Sequence, residues 1–253
     1  MRRIAVIIPA RFGAQRFPGK PLADLAGRPV IAHVVERAQR ARGVDIVAVA
    51  TDDERIARAA EGAGAQTIVT GEARTGTDRV AEAARRLDPA PDVVVNLQGD
   101  EPLIEPGVVE ALVGAMVPGV EMATLARPLV EGELARSQVV KVVTDLEGNA
   151  LYFSRAAIPH RRSGGASPLA RAHVGIYGFT AAFLQRFAAL PQGQLETEES
   201  LEQLRALEHG HRIRVAETAY AGFGIDTPED LERAREILAA SHRGEGDGHG
   251  EAR

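Results

Sequence analysis

Three cations, Arg11, Arg16 and Lys20, sit in one short loop that also holds Gly13, Gly19, Pro18 and Pro21. The loop lies between an apolar run, Ile4 to Ile8, and an amphipathic stretch that starts at Pro29. The chain has only two lysines, Lys20 and Lys141, and one of them is here. A stiffened cationic loop between a buried strand and a helix is how α/β proteins present phosphate-binding groups at the carboxyl ends of strands.

Carboxylates supply the complementary chemistry. The run Asn96-Leu97-Gln98-Gly99-Asp100-Glu101-Pro102 ends an apolar segment in two acids, with Gly99 permitting close backbone approach. Hard divalent cations such as Mg²⁺ take oxygen ligands, often one or two carboxylates plus substrate phosphates. The same acids would equally serve as a polar turn capping the helix that follows. Asp226, just before Thr227-Pro228, has the same two readings, as a metal ligand or as a bystander to a cap. Thr75-Gly76-Thr77-Asp78-Arg79 offers hydroxyls and a guanidinium at a helix start, for a base, a ribose, an anionic substrate or simply an N-cap. His173 precedes a strand, where a lone histidine is more often structural than catalytic, and Glu202-Gln203-Leu204-Arg205 reads first as a solvated helix face.

The elements that must position these groups alternate. Ile4–Ile8, Ile46–Ala50, Thr67–Val69 and Val93–Leu97 read as buried strands. Between them Val30, Ile31, Val34, Val35 and Ala38 share a helical face, as do Ile56, Ala59, Ala60 and Ala63. Thr51-Asp52 is the expected cap of that second helix. Helices are also expected over Thr77–Leu87 and from Pro106. The pattern predicts a mostly parallel sheet covered on both faces, with the loops at 9–20, 51–52, 71–79 and 97–102 on one edge. The later strands, Met122–Ala126, Val139–Thr144, Leu151–Ser154 and Val174–Phe179, have little helix between them. Asp145–Asn149 is the expected hairpin turn, and residues 160–171 an open loop. Leu201, Leu204 and Leu207 predict a helix, Ile213–Ala216 a strand, and Thr227 a cap for a last helix. The expected plan is one domain over residues 1–240, with a β-rich insertion near 125–185, and a disordered tail over 241–253.

Composition narrows the function classes. The chain of 253 residues carries a net charge of -5, so no basic field favours nucleic acid. It has no cysteine, hence no disulfide framework and no thiolate metal site. No apolar run approaches membrane-spanning length, and the apolar residues before Pro9 are too few for a secretory signal, so a cytoplasmic location is expected. No Ser-His-Asp arrangement has motif support.

Taken in order, Pro9-Ala10-Arg11, Arg16-Phe17-Pro18-Gly19-Lys20-Pro21-Leu22, Gln98-Gly99-Asp100-Glu101-Pro102, Ala150-Leu151-Tyr152-Phe153-Ser154-Arg155, His173-Val174-Gly175-Ile176-Tyr177, Leu201-Glu202-Gln203-Leu204-Arg205 and Asp226-Thr227-Pro228-Glu229-Asp230 closely resemble the 3-deoxy-manno-octulosonate (Kdo) cytidylyltransferases, the CMP-Kdo synthetases. The likeness runs from about Arg3 to about Ile237. The resemblance implies a Rossmann-like nucleotidyltransferase fold with an inserted β-rich dimerisation lobe. It implies a homodimer that converts CTP and Kdo, with Mg²⁺, to CMP-Kdo and pyrophosphate for lipopolysaccharide assembly. It implies that Arg11, Arg16 and Lys20 grip the triphosphate and that Asp100 and Asp226 hold the metal. It makes Arg79, Gln98, His173, Tyr177, Glu202 and Gln203 candidates for the sugar, Thr75 and Thr77 candidates for substrate, and places Arg155 near the nucleotide or sugar. Three positions depart from the family pattern: Ala14 stands where a serine is usual, and Thr75-Gly76-Thr77-Asp78-Arg79 replaces Ser-Gly-Thr-Glu-Arg at Thr75 and Asp78. Transferases for another acidic sugar (8-amino-Kdo or a nonulosonic acid) and a non-catalytic nucleotide-binding regulator are the alternatives.

Overall fold

Strand β1, Ile4–Ala10, shows how the layers form. Its side chains alternate between two separate cores: Ile4, Val6, Ile8 and Ala10 enter one, Ala5 and Ile7 the other. A strand apolar on both faces must be covered on both, which is why a polar alternation is absent here. The computed structural model describes residues 2–13, 16–165 and 167–246.

The order along the chain is β1, then the two-residue strands β2 (Asp24–Leu25) and β3 (Arg28–Pro29), α1 (Val30–Gln39), β4 (Ile46–Thr51), α2 (Glu54–Gly62), β5 (Gln66–Val69), α3 (Gly76–Arg86), β6 (Val93–Asn96) and α4 (Pro106–Ala115). Then come β7 (Met122–Pro128), β8 (Lys141–Thr144), β9 (Ala150–Ser154), β10 (Arg171–Thr180), α5 (Ala181–Ala189), α6 (Gln194–Glu199), α7 (Leu204–Glu208), β11 (Arg214–Glu217) and α8 (Pro228–Gly246). The main sheet runs β11-β7-β10-β6-β1-β4-β5. All neighbours pair parallel except β10, which is antiparallel to both β6 and β7. Helices α1, α2 and α4 pack on one face; α3, α5 and α7 pack on the other. A smaller core of Leu25, Val30, Ile225, Leu231, Ala234 and Leu238 docks α8 beside the first loop.

The mostly parallel sheet is as expected, and the differences have physical reasons. The β-rich stretch near 125–185 is continuous with the main sheet: β7 and β10 are two of its central strands, and the β8–β9 hairpin extends from it through β10. Asp145 closes that hairpin, its Oδ1 accepting from the Glu147 and Asn149 N–H groups. The cap of α2 is Asp53, whose side chain accepts from Arg55 N–H; Asp52, expected there, pairs with Arg79 instead. Helices α5 and α6 had no expectation. Thr180 both ends β10 and caps α5, so no glycine or proline separates the two. The helix expected through Leu201, Leu204 and Leu207 begins only at Leu204, because Ser200 takes a left-handed conformation (φ 52°) that ends α6. The last helix continues to Gly246, past the expected tail boundary at 241; the rest of that tail and Ala14 lie outside the described residues.

Lys141, the second lysine, is fully buried on β8. Its ammonium donates to the carbonyls of Arg136 (2.9 Å), Val139 (2.6 Å) and Arg155 (2.5 Å). Burial holds its pKa below the usual lysine value.

Gly99, which lines the cleft, also lies close against the neighbouring strand. A Cβ there would stand 2.9 Å from the Pro9 carbonyl oxygen and 3.3 Å from Ile8 Cγ2. Gly99→Ala must therefore push the Asp100 turn away from β1. We expect urea unfolding to show a loss of about 1–3 kcal/mol, the usual effect of overpacking, and unchanged stability would contradict this contact.

Candidate active site

The first loop is built around Phe12. Its carbonyl accepts from Gly19 N–H at 2.8 Å, its ring lies under Gly19, and the Arg55 guanidinium stacks over the ring at 3.8 Å. Gly19 takes φ 75°, a conformation few side chains adopt, and Lys20–Leu22 then forms one 3₁₀ turn. That turn aims the Lys20 side chain at the carboxyl ends of β1 and β6.

Lys20 Nζ donates to Asp100 Oδ2 at 2.7 Å and to Asp226 Oδ1 at 3.2 Å. Arg16 donates to Asp226 Oδ2 at 2.9 Å. Two acids that are remote in sequence thus meet on one ammonium. The cap at the start of α8 is made by the neighbours of Asp226. Thr227 Oγ1 accepts from Asp230 N–H, and Asp230 Oδ2 accepts from the N–H groups of Asp226 and Thr227. Capping of α8 is thereby complete without the Asp226 carboxylate, which faces the cleft. Glu105, not Asp100 or Glu101, precedes α4 as its cap position.

The cleft has a volume of about 470 Å³. Arg11, Arg16, Phe17 and Lys20 line it from the first loop, Ala73, Arg74, Thr75 and Arg79 from the approach to α3, and Gln98, Gly99, Asp100 and Asp226 from the opposite side. This is the edge on which an open α/β sheet holds ligands. Its donor set suits a hard cation: two carboxylates at a strand end and neither Cys nor His. Among the described residues no cluster of three or more Asp, Glu, His or Cys could hold a metal unaided. A cation bound here would complete its shell with oxygens from outside the chain, such as phosphate or water.

A second group of expected residues lies beside the cleft and joins it through Thr75 and Gln98, which line it. Thr75 Oγ1 donates to Glu202 Oε1 at 2.8 Å, and Thr77 Oγ1 donates to Glu202 Oε2 at 2.6 Å. Thr77 accepts from Asn96, which accepts from Gln98 at 3.3 Å. A hydrogen-bonded chain therefore joins Glu202 to the cleft wall. Thr75 also caps α3 by accepting from Asp78 N–H, so the two readings of that motif coexist in one hydroxyl. Burial raises the Glu202 carboxyl above its usual pKa, opposed by the two threonines and Arg205. Tyr177, opposite Asn96 in the β10–β6 register, has its phenol raised further by burial and by Glu202. His173 packs between Phe153 and Tyr177, with ring centroids 5.0 and 5.5 Å away, and its Nε2 lies 2.9 Å from Thr124 Oγ1. Thr124 is a site neighbour that sequence reading missed.

Two further expected residues are engaged by other protein groups, and a third is buried. Arg79 is buried and donates to Asp52 (2.6 Å) and Thr70, so its guanidinium braces the cleft wall. Arg155 is spent on backbone: it donates to the carbonyls of Glu199 (2.8 Å), Ser137 and Ser200, and holds the turn that precedes Glu202. Gln203 is buried, and its Nε2 has no partner among the described residues.

Burial lowers the His173 pKa from 6.5 to about 3. The folded protein thus binds fewer protons than the unfolded chain across that window, and stability falls as pH drops from about 6.5 toward 3. Urea midpoints measured through this range should decline less steeply in His173→Gln than in wild type; parallel slopes would contradict a neutral His173.

A profile of the cytidylyltransferase family matches residues 5–213. A 3-deoxy-manno-octulosonate cytidylyltransferase of Anaeromyxobacter sp. (strain Fw109-5) is 80% identical over 243 residues, 96% of this chain and 100% of the relative. An 8-amino-3,8-dideoxy-manno-octulosonate cytidylyltransferase of Shewanella sp. (strain ANA-3) is 48% identical, over 93% of this chain and 98% of the relative. Among solved structures, that of a CMP:2-keto-3-deoxy-manno-octonic acid synthetase complexed with CTP superposes with a TM-score of 0.89 at 42% identity, covering 94% of this chain and 99% of the other. Fold, cleft and sequence agree: this chain belongs to the 3-deoxy-manno-octulosonate cytidylyltransferases within the cytidylyltransferase family.

Proposed function

We propose that this chain transfers the cytidylyl group of CTP to the anomeric hydroxyl of Kdo, releasing pyrophosphate and supplying CMP-Kdo for lipopolysaccharide assembly in the cytoplasm. The observation that carries this reading is Lys20 drawn between Asp100 and Asp226 in a cleft lined by Arg11 and Arg16. Such an edge binds a polyanion together with a cation.

The residues divide the work. Arg11, Arg16 and Lys20 hold the triphosphate and offset the charge that gathers on the α-phosphoryl and leaving oxygens during in-line attack. Asp100 and Asp226 would hold Mg²⁺, which supplies further neutralisation of those phosphate oxygens. Thr75, Gln98 and the Glu202 chain orient the sugar from the adjoining pocket. There Tyr177, His173 and Gln203 add polar groups without adding charge. No covalent intermediate is required, since positioning and electrostatics carry phosphoryl transfer.

The active form is read as a homodimer. Strand β9 pairs only with β8, so its other edge is without a strand partner among the described residues. Leu151 on that strand is 61% exposed, and Leu146 at the hairpin turn and Leu169 are exposed as well. An open apolar strand edge invites another chain, and a second copy covers it. Leu151→Arg should shift the protein toward monomer in sedimentation velocity, and an unchanged dimer would place the interface elsewhere.

The decisive assay is pyrophosphate release with CTP against the other nucleoside triphosphates, and with Kdo against 8-amino-Kdo. CTP with Kdo should be fastest. Asp100→Asn and Asp226→Asn should each lose on the order of 100-fold or more in turnover, and Lys20→Ala should raise the KM for CTP, lower turnover, or both. Near-normal turnover in both aspartate variants would remove the metal assignment, and preference for 8-amino-Kdo would reassign the sugar.

A further inference from the structure

The motif Gln98–Pro102 carries two acids, and only Asp100 lines the cleft. Glu101 serves a different partner. Its Oε2 accepts from the Tyr220 hydroxyl at 2.8 Å, and the Phe223 N–H also donates to its carboxylate. Both partners belong to residues 218–227, which connect β11 to α8 and form neither helix nor strand. This connector ends in Asp226.

Such a connector needs explicit anchors, because no ladder or helix sets its path. Gly222 (φ 75°) and Gly224 leave its middle conformationally permissive. Thr218 N–H bonds the Ala126 carbonyl, and Arg127 Nε bonds the Ala221 carbonyl at 3.2 Å, which ties the upstream end to β7. Downstream, Ile225 N–H donates to the Asp100 carbonyl at 2.8 Å, and the Ile225 side chain is buried beside Leu25 and Leu231. The dipeptide Asp100-Glu101 therefore holds the connector at positions 220, 223 and 225, immediately ahead of Asp226. Asp100 faces the cleft while Glu101 holds the segment that brings Asp226 to it.

We propose that Glu101 and Tyr220 form a positioning pair that sets Asp226 at the distance from Asp100 that a shared cation requires. Neither residue touches the cleft. Without the phenol hydroxyl, the connector keeps its backbone bonds and its buried Ile225 but loses the tie from the Tyr220 side chain to the Asp100 turn. Asp226 then samples positions too far from Asp100 to share an ion. The inference rests on the reading of Asp100 and Asp226 as the cation site.

The test uses Tyr220→Phe, Glu101→Gln and, as control, Asp226→Asn, each compared with wild type in the presence of saturating CTP. Mn²⁺ binding is followed by electron paramagnetic resonance and backbone amide exchange over 219–226 by mass spectrometry. Tyr220→Phe should weaken Mn²⁺ binding about tenfold, the scale of one lost hydrogen bond to a charged group. It should also speed exchange in this segment while β1 and β6 keep wild-type protection. Glu101→Gln, which retains an acceptor for the phenol, should stay within about threefold of wild type on the same scale. Wild-type affinity or wild-type exchange in Tyr220→Phe overturns the positioning pair. Wild-type affinity in Asp226→Asn instead overturns the cation site and leaves the pair to be judged by exchange alone.

Discussion

Two carboxylates remote from one another in the chain are held against one ammonium, and the rest of the site follows from that requirement. Brought together without a cation, Asp100 and Asp226 would repel, and each would gain by turning to water. Lys20 satisfies both, and Arg16 takes the remaining oxygen of Asp226. The Lys20 side chain is only 12% exposed, so water does little to screen its charge. The arrangement is provisional by chemistry. The groups that neutralise the aspartates here are those that a triphosphate would attract, and in the proposed reaction the polyanion draws them off. If the acids hold a divalent ion as proposed, substrate and metal would then favour one another.

The fold makes that meeting rigid on one side and adjustable on the other. Asp100 follows a buried central strand, with Gly99 pressed against the Pro9 carbonyl of the neighbouring strand, so the turn has almost no freedom to shift. Lys20 follows a loop pinned through Phe12 and a left-handed glycine. Asp226 reaches the same point through an irregular connector and through α8, which docks on its own small core. A site whose acids sit on elements of unequal stiffness is sensitive to whatever fixes the softer one.

The legibility of the sequence tracks these physical differences. Strands β1, β4 and β6 and helices α1 and α3 were readable because a doubly covered parallel sheet writes continuous apolar runs between capped amphipathic segments. Arg11, Lys20, Asp100 and Gln98 fell together because each lies on a loop at the carboxyl end of a strand. Helix α5 was hidden because Thr180 joins it to β10 without punctuation, although the spacing of Phe179, Phe183 and Phe187 was a helical signal that went unused. The protein partners of Arg79 and Arg155 were not readable at all. A guanidinium committed to Asp52, or to the carbonyls of 199 and 200, has the same letter in the sequence as one free to meet a substrate. Lys141 makes the same point from inside the core, where three carbonyls stand in for water.

The two halves of the site solve opposite electrostatic problems. The cleft concentrates positive charge where a triphosphate would lie. Beside it lies a carboxylate, Glu202, which in the proposed reading would by itself repel an approaching acidic sugar. Burial eases that difficulty: it raises the Glu202 carboxyl, keeps His173 uncharged and holds the Tyr177 phenol protonated. Donors also surround the Glu202 carboxylate, with Thr75 on one oxygen and Thr77 on the other. The Thr75 and Thr77 hydroxyls carry its hydrogen bonds to the cleft wall. Discrimination between sugars that share a carboxylate is left to the uncharged groups. In the proposed reading, the Glu202 group, joined to the charged cleft through Thr75, Thr77 and Asn96, would let one edge of the sheet take two anions side by side.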